Sequence, residues 1–268
     1  MRTLIKVGIS LLLLAFVLIG VSYSMLRAQG ISNPSSAAGR AVRSDTRTIG
    51  KDIVNVELSG PINLTVRQGA TAALTVRGEQ RLLANIDTSQ DGATLHIGPK
   101  GMLFHHRQPL TVDLVLPVLQ QLEVHGTGDS MVAGFSGERF TLRLHGPGNA
   151  TVNGRFKHIA ADLFGSGELN LNGGNSDSVA LELAGSGEIT ASGSSKSLRA
   201  VLNGSGDLNA EHLASDRVNV LLRGSGTANV FARDGVELTL HGSGNIHVYG
   251  NPEQRKVTSH GSGEVSWD

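Results

Sequence analysis

Apolar and polar residues alternate along most of the chain from residue 119 to residue 268, and glycine pairs interrupt the alternation at regular intervals. In "LELAGSGEIT", Leu181 and Leu183 are spaced by two before the glycines, and Ile189 resumes the spacing after them. A spacing of two is typical of a strand with one buried face. Each unit therefore predicts a strand, a glycine corner, a second strand and a looser segment such as "NGGNSDS" or "ASGSSKS".

The units recur about every 18 to 20 residues. This period is too short for two strands and a crossover helix, but it fits a coil whose equivalent strands stack in parallel at about 4.8 Å per turn. We predict an all-β, right-handed parallel β-solenoid with a period of about 19–20 residues, and eight turns would span roughly 38 Å. The glycines predicted to form its structural corner are Gly126, Gly128, Gly146, Gly148, Gly165, Gly167, Gly185, Gly187, Gly204, Gly206, Gly224, Gly226, Gly242, Gly244, Gly261 and Gly263.

The two ends of the repeat region differ from its middle. Arg255 and Ser259 stand where earlier turns have buried apolar residues, which predicts a polar terminal turn, as expected for a solenoid end. Residues 49–118 are also rich in apolar alternation but lack the strict period, so we predict irregular N-terminal strands of the same domain. Gly60 followed by Pro61 resembles a degenerate corner, and residues 99–108 predict an exposed loop.

The N-terminus predicts export. The uncharged run from Val7 to Met25 would cover roughly 28 Å as a helix, close to the thickness of a bilayer core. Residues 1–27 are therefore predicted to be a transmembrane signal anchor, with a cleaved signal peptide as the alternative. Residues 28–48 predict a linker, and residues 49–268 the solenoid domain. The expected location is the bacterial cell envelope: inner-membrane anchored and facing the periplasm, or secreted or surface-exposed after cleavage.

Composition narrows the classes of function. The formal net charge is zero, so nothing indicates a nucleic-acid partner. The chain has no cysteine, which excludes disulfides, thiolate nucleophiles and cysteine metal sites. Aromatic residues make up only 4% of the chain, which disfavours a cleft that stacks sugars. No pattern indicates a cofactor.

The segments "IVNVELSGPINLTVRQG", "TLHI" and "VDLVLPVLQQLEVHGTGDSMV", followed by repeated "GSG" corners, resemble the GIN-domain family of adhesin head domains. The resemblance covers roughly residues 49–268. It implies a solenoid of the parallel β-helix type in the bacterial envelope, and it carries no catalytic residue over to this chain. The expected partners are the membrane, reached by the N-terminal helix, and an unidentified envelope protein or glycan.

The outward column just after the corner offers one metal hypothesis. Glu168, Glu188 and Asp207 should stack on adjacent turns, where their like charges repel, and either a divalent cation or solvent could relieve that repulsion. Any specificity is expected in this column, which consists of Asn149, Glu168, Glu188, Asp207, Thr227 and Asn245.

Histidines offer a second metal hypothesis. His125 and His145 precede the first glycine of adjacent turns, as do His241 and His260, so each pair could share a zinc ion if a third ligand were present. An outward polar ladder is the alternative for these pairs, and the loop residues His105 and His106 pose the same choice.

The sequence therefore predicts a non-enzymatic binding, adhesin-like or scaffold module. The alternative is a carbohydrate-active lyase or hydrolase acting on envelope or extracellular polysaccharide, because parallel β-helices also host such enzymes. That chemistry needs paired carboxylates or an acid–base cluster on one outer face.

Overall fold

The computed structural model describes residues 41–101 and 109–268, together with Leu18. Apart from Leu18, the predicted membrane segment lies outside the described residues, as do most of residues 28–48, His105 and His106. Among the residues described, no helix has the length and apolar character needed to cross a bilayer.

The described strands belong to one sheet. The irregular part contains β1 (Val42–Arg47), β2 (Asn55–Ser59), β3 (Ile62–Gln68), β4 (Ala73–Glu79), the short helix α1 (Gln80–Leu83), β5 (Ile86–Asp91), β6 (Thr94–Pro99) and β7 (Leu110–Leu116). The regular part contains β8 (Gln121–His125), β9 (Asp129–Gly146), β10 (Asn149–Gly165), β11 (Glu168–Gly185), β12 (Glu188–Gly204), β13 (Asp207–Gly224), β14 (Thr227–Gly242), β15 (Asn245–Tyr249), β16 (Gln254–Gly261) and β17 (Glu264–Trp267).

The regular part is a parallel β-solenoid, which confirms the predicted all-β parallel coil. Each strand pairs in parallel with its equivalent one turn later, so that Leu163 of β10 lies opposite Leu183 of β11 and the corner glycines that follow are also opposite each other. The solenoid makes about 7 turns, fewer than the eight expected from counting glycine pairs. The reason is that eight corners delimit only seven complete intervals.

Inward-facing aliphatic columns form the core. The residues two positions before the first glycine, from Leu144 to Leu240, are all nearly inaccessible to solvent. Burial of each such side chain contributes about 1.5–3 kcal/mol before the entropy cost. The terminal turn differs as predicted: β16 is exposed along its whole length, so the core ends there with a polar cover.

The segments predicted to be loose are instead parts of long strands. β11 runs from Glu168 to Gly185 and bends at a register shift between Asn172 and Asn175. The second corner formed there turns serines inward, and the Ser195 and Ser215 hydroxyls lie 2.8 Å apart in the core. The polar composition that suggested loops therefore reflects a buried hydroxyl ladder.

The irregular part does not follow chain order. β2 lies between β6 and β8, and β3 lies between β7 and β9, all in parallel. The β2–β3 turn is thus inserted between two turns that come later in sequence. Antiparallel pairs, β4 with β7 and β5 with β6, cover the end of the coil.

The predicted linker is corrected at its C-terminal end. Residues 42–47 form β1, which pairs antiparallel with β4. Five of its six residues are exposed, so the strand has no buried face to produce an apolar period. The Arg47 guanidinium holds it in place by donating to the carbonyl oxygens of Ile86 and Leu83.

Candidate functional site

The glycine corners stack in register along one edge of the coil. Gly165, Gly185 and Gly204 are direct partners on successive strands. The first glycines from Gly146 onward have φ between 115 and 139°, a region that favours glycine. The carbonyl oxygen of Gly185 accepts hydrogen bonds from the N–H groups of Ser205 and Gly206, at 3.0 and 3.1 Å. The corner thus joins adjacent turns through backbone hydrogen bonds, and the Ser243 and Ser262 hydroxyls add a side-chain contact at 3.1 Å.

The second glycine of each corner is needed for close approach. A Cβ at Gly226 would lie 2.0 Å from the carbonyl oxygen of Gly206, and at Gly187 2.4 Å from that of Gly167. The Gly60 corner belongs to the same stack, because a Cβ at Gly126 would lie 2.1 Å from the Gly60 carbonyl oxygen. The edge leaves no space for side chains between its turns.

The outward column after the corner is largely structural. The Asp207 Oδ1 atom accepts the backbone N–H of Thr227 at 2.8 Å, and the Asn149 Oδ1 atom accepts that of Glu168 at 3.3 Å. Where the residue of this column one turn earlier is Glu168 or Glu188, the backbone N–H of its partner on the next turn donates instead to a glycine carbonyl oxygen. Short Asn and Asp side chains therefore cap the following turn, which the longer glutamates do not do.

The predicted acidic metal site lies within this column. Glu168, Glu188 and Asp207 are register partners on β11, β12 and β13, and all three are exposed. The Glu168 Oε1 atom accepts a hydrogen bond from Asn170 at 2.7 Å, and Asp207 is engaged as described above. A divalent cation on these carboxylates stays a prediction.

A histidine stack lies on the strands before the corner. The rings of His125 and His145 are parallel, with centroids 4.5 Å apart, and His145 also stacks on Phe164 at 4.9 Å. Glu123 points to the same side, with its Oε1 atom 2.9 Å from the Nε2 atom of His125 and 3.8 Å from that of His145. Glu123 was not among the residues predicted for this site, although its position two residues before His125 places it on the same face.

Glu123 belongs to a row of charged residues in register across adjacent strands. The row consists of His96, Glu57, Glu123, Arg143, Asp162 and Glu182. Arg143 lies between two carboxylates, 3.8 Å from Glu123 and 3.6 Å from Asp162. Burial raises the pKa of the Asp162 carboxyl, and the Glu182 carboxylate raises it further, against the opposing effect of Arg143.

A basic groove lies at the other end of the same face. It has a volume of about 710 Å³, and its charged lining residues are Arg199, Arg217, Arg255, Lys256 and Glu237. Four cations against one carboxylate leave an excess of three positive charges. Within the described part of the chain, neither Arg199 nor Arg217 forms a hydrogen bond or an ion pair. Their guanidinium groups are therefore available to a ligand.

An alternating charge ladder runs along the second corner. Lys157 pairs with Glu138 at 2.7 Å, and Lys196 pairs with Asp177 at 2.6 Å. The Lys196 ammonium lowers the pKa of the Asp177 carboxyl through a hydrogen bond and its charge. This ladder was not predicted, although its signal, the alternation of charge sign at positions one period apart, is present in the sequence.

Stacked glycine corners, one parallel coil and a charged outer face define the class of parallel β-solenoid proteins. The chain belongs to the GIN-domain family, described as "Putative auto-transporter adhesin, head GIN domain", whose model matches residues 54–252. This confirms the resemblance found in the sequence.

Solved structures share the fold. An adhesin from Parabacteroides distasonis, described as putative, has a TM-score of 0.79 at 22% identity over 85% of this chain and 97% of its own. A "Putative lipid binding protein" from the same species has a TM-score of 0.78 at 22% identity, over 85% and 96% of the two chains. A third, a "putative adhesin" from Bacteroides fragilis, has a TM-score of 0.66 at 15% identity, over 85% and 98%. No curated protein matches the chain.

Proposed function

We propose that the chain is an exported, adhesin-like binding module whose basic groove takes an anionic polysaccharide of the cell envelope or its surroundings. The observation that carries this proposal is the pair of unpartnered guanidinium groups, Arg199 and Arg217, in a groove with a positive excess. A guanidinium presents a planar fork of donors that matches carboxylate and phosphate oxygens.

The shape of the groove supports a polymer as the ligand. Its cations come from β12, β13 and β16, and β14, which lies between the last two, supplies Glu237, so the charged residues follow the long axis of the coil at about 4.8 Å per strand. The opening lies along a face of the sheet. A chain with repeating negative groups could contact several of these cations at once, which a single small anion could not do.

The binding test uses the full chain in detergent with polygalacturonate as the anionic probe and dextran as the neutral one. Replacing Arg199 and Arg217 together by alanine should weaken polygalacturonate binding at least about tenfold, since each charge-assisted contact contributes about 1.5–3 kcal/mol. The matched control replaces Arg67 and Arg77, which are exposed on β3 and β4. Equal binding of dextran, or equal loss in both double variants, would contradict the proposal.

The same incubation distinguishes binding from turnover. A binding module leaves the polysaccharide length unchanged, whereas a lyase or hydrolase creates new chain ends. New reducing ends that accumulate with time across a panel of envelope glycans would overturn the non-enzymatic function and favour the carbohydrate-active alternative.

We also propose that the segment from Val7 to Met25 anchors the protein in the inner membrane, with the solenoid in the periplasm. Its length and lack of charge support this proposal. Fractionation should recover the chain with inner membranes, and added protease should digest the solenoid only after the outer membrane is opened. Digestion in intact cells would instead place the solenoid at the surface, and recovery without membranes would indicate cleavage.

A further inference from the structure

We propose that Glu123, His125 and His145 form a zinc site on the outer face of the coil. The three residues offer one carboxylate oxygen and two imidazole nitrogens that all lie within 4.8 Å of one another. Two histidines and one carboxylate are a ligand set that Zn²⁺ accepts, with water in the fourth position. This site is separate from the acidic column considered from the sequence.

The distances are close to those of a tetrahedral site. Zinc bonds of about 2.0–2.1 Å require ligand atoms roughly 3.3 Å apart. The Glu123 Oε1 atom lies 2.9 Å from one Nε2 atom and 3.8 Å from the other, so small side-chain rotations would equalise the two separations. Both Nε2 atoms lie near the same Glu123 oxygen, and the two parallel rings would have to tilt toward a shared ion because an imidazole lone pair lies in the plane of its ring.

Neighbouring groups orient the ligands. The Gln121 side chain donates to Glu123 Oε2 at 3.3 Å, which leaves Oε1 directed at the histidines. The Phe164 ring stacks on His145 and limits its rotation. Such outer contacts fix ligand direction in zinc sites.

The charge around the site favours a cation. Glu57 lies beside Glu123 on the next strand, and Asp162 and Glu182 continue the row. Arg143 is the one cationic residue of the row apart from histidine, and its charge is shared between Glu123 and Asp162. Four carboxylates against one guanidinium give an excess of three negative charges.

The chain contains its own control for this site. His241 and His260 stack in the same column, with centroids 5.0 Å apart. Two residues before them, on the same face, stand Thr239 and Thr258, where the first pair has Glu123 and Arg143. The second pair therefore has the imidazoles without the carboxylate, so the structure assigns zinc to the first pair alone.

The test is titration of the tag-free full chain in detergent with Zn²⁺ against a chromophoric chelator, and with Co²⁺ as a spectroscopic substitute. We expect one ion per chain and cobalt bands of tetrahedral intensity. Glu123→Gln and His145→Ala should each weaken binding at least about tenfold. The control variant, His241→Ala with His260→Ala, should bind like the unmodified chain.

Three results would overturn the proposal: no cobalt spectrum from the unmodified chain, unchanged affinity in Glu123→Gln, or loss of the ion in the control variant. Thermal unfolding in the presence of chelator checks that Glu123→Gln folds. If it does not, His125→Gln provides the second measurement, with the same expected loss. The cobalt spectrum of the unmodified chain requires no variant.

Discussion

Replacing Gly226 by alanine should separate two turns of the coil. The new Cβ would lie 2.0 Å from the Gly206 carbonyl oxygen, whereas ordinary contact begins at 3.4 Å. The backbone must therefore yield by about 1.4 Å. The corner hydrogen bond from Ser225 N to Gly204 O is 2.9 Å long, and an opening of that size would break it.

The expected cost follows from these contacts. Each buried backbone group left without a partner costs about 1–3 kcal/mol, and one or two are affected. The alanine offsets about 0.4–1 kcal/mol of this cost, because it reduces the conformational entropy of the unfolded chain. We therefore expect Gly226→Ala to lower the free energy of unfolding by about 2 to 3 kcal/mol.

Urea unfolding of the full chain, followed by far-ultraviolet circular dichroism, measures this change. Gly137→Ala is the matched control, because its Cβ would meet the Phe156 ring at 3.5 Å, an ordinary contact. That variant should stay within about 0.5 kcal/mol of the unmodified chain. Equal urea midpoints for the two variants would refute the argument that close backbone approach requires the second glycine.

Three other side chains give further predictions. Asp207→Ala should destabilise the chain by about 1–2 kcal/mol in urea, because the Thr227 N–H loses its acceptor, while Asp207→Asn keeps the Oδ1 atom and should not. The pKa of Asp162 is raised in the folded chain, so ionisation of this carboxyl lowers the free energy of unfolding as pH rises through that pKa. Asp162→Asn should therefore have a higher melting temperature than the unmodified chain near pH 7 and the same melting temperature below about pH 3. Lys196→Glu should lower the melting temperature at low salt by removing the partner of Asp177 and placing like charges together, with recovery near about 1 M NaCl; an effect that salt does not change would contradict this.

The repeat region could be predicted because its signals are local and periodic. Alternation fixes which face of each strand is buried, and the glycine spacing fixes which residues become partners on the next turn. Gly165 and Gly185 could therefore be paired from the sequence alone. The segments that contain the buried serines were predicted to be loose because they are rich in serine and glycine, as loops are. The sequence does not show that these hydroxyls face each other in the core on adjacent turns.

The irregular region could not be ordered from sequence. Val56 of β2 pairs with Leu95 and with Leu122, and no local feature of these apolar strands shows that β2 lies between the other two. β1 was assigned to the linker because its side chains are mostly exposed. In both cases the deciding contacts join residues far apart in sequence.

The histidine site was predicted in part. The stacking of His125 on His145 follows from the period, but recognising Glu123 requires two registers at once, the spacing of two within β8 and the stacking of β8 on β9. The basic groove was missed for a related reason. Arg199 and Arg217 occupy different columns, so no single column in the aligned repeats is basic.

A net charge of zero conceals two opposite regions on one face of the coil. The carboxylate and histidine row lies mainly on β2, β8, β9 and β10, and the basic groove lies on β12, β13, β14 and β16. From β9 to β12 is three strand spacings, roughly 14 Å. This distance exceeds the Debye length of about 8 Å at 0.15 M salt but not that of about 30 Å at 0.01 M.

Polygalacturonate should therefore leave zinc affinity unchanged at about 0.15 M salt and increase it at about 0.01 M, because the bound polyanion neutralises the cations of the groove. Titrations of zinc with and without the polysaccharide at both salt concentrations, corrected for zinc bound by the polymer itself, measure this coupling. An equal increase at both concentrations would mean that a conformational change, rather than the field of the groove, links the two regions.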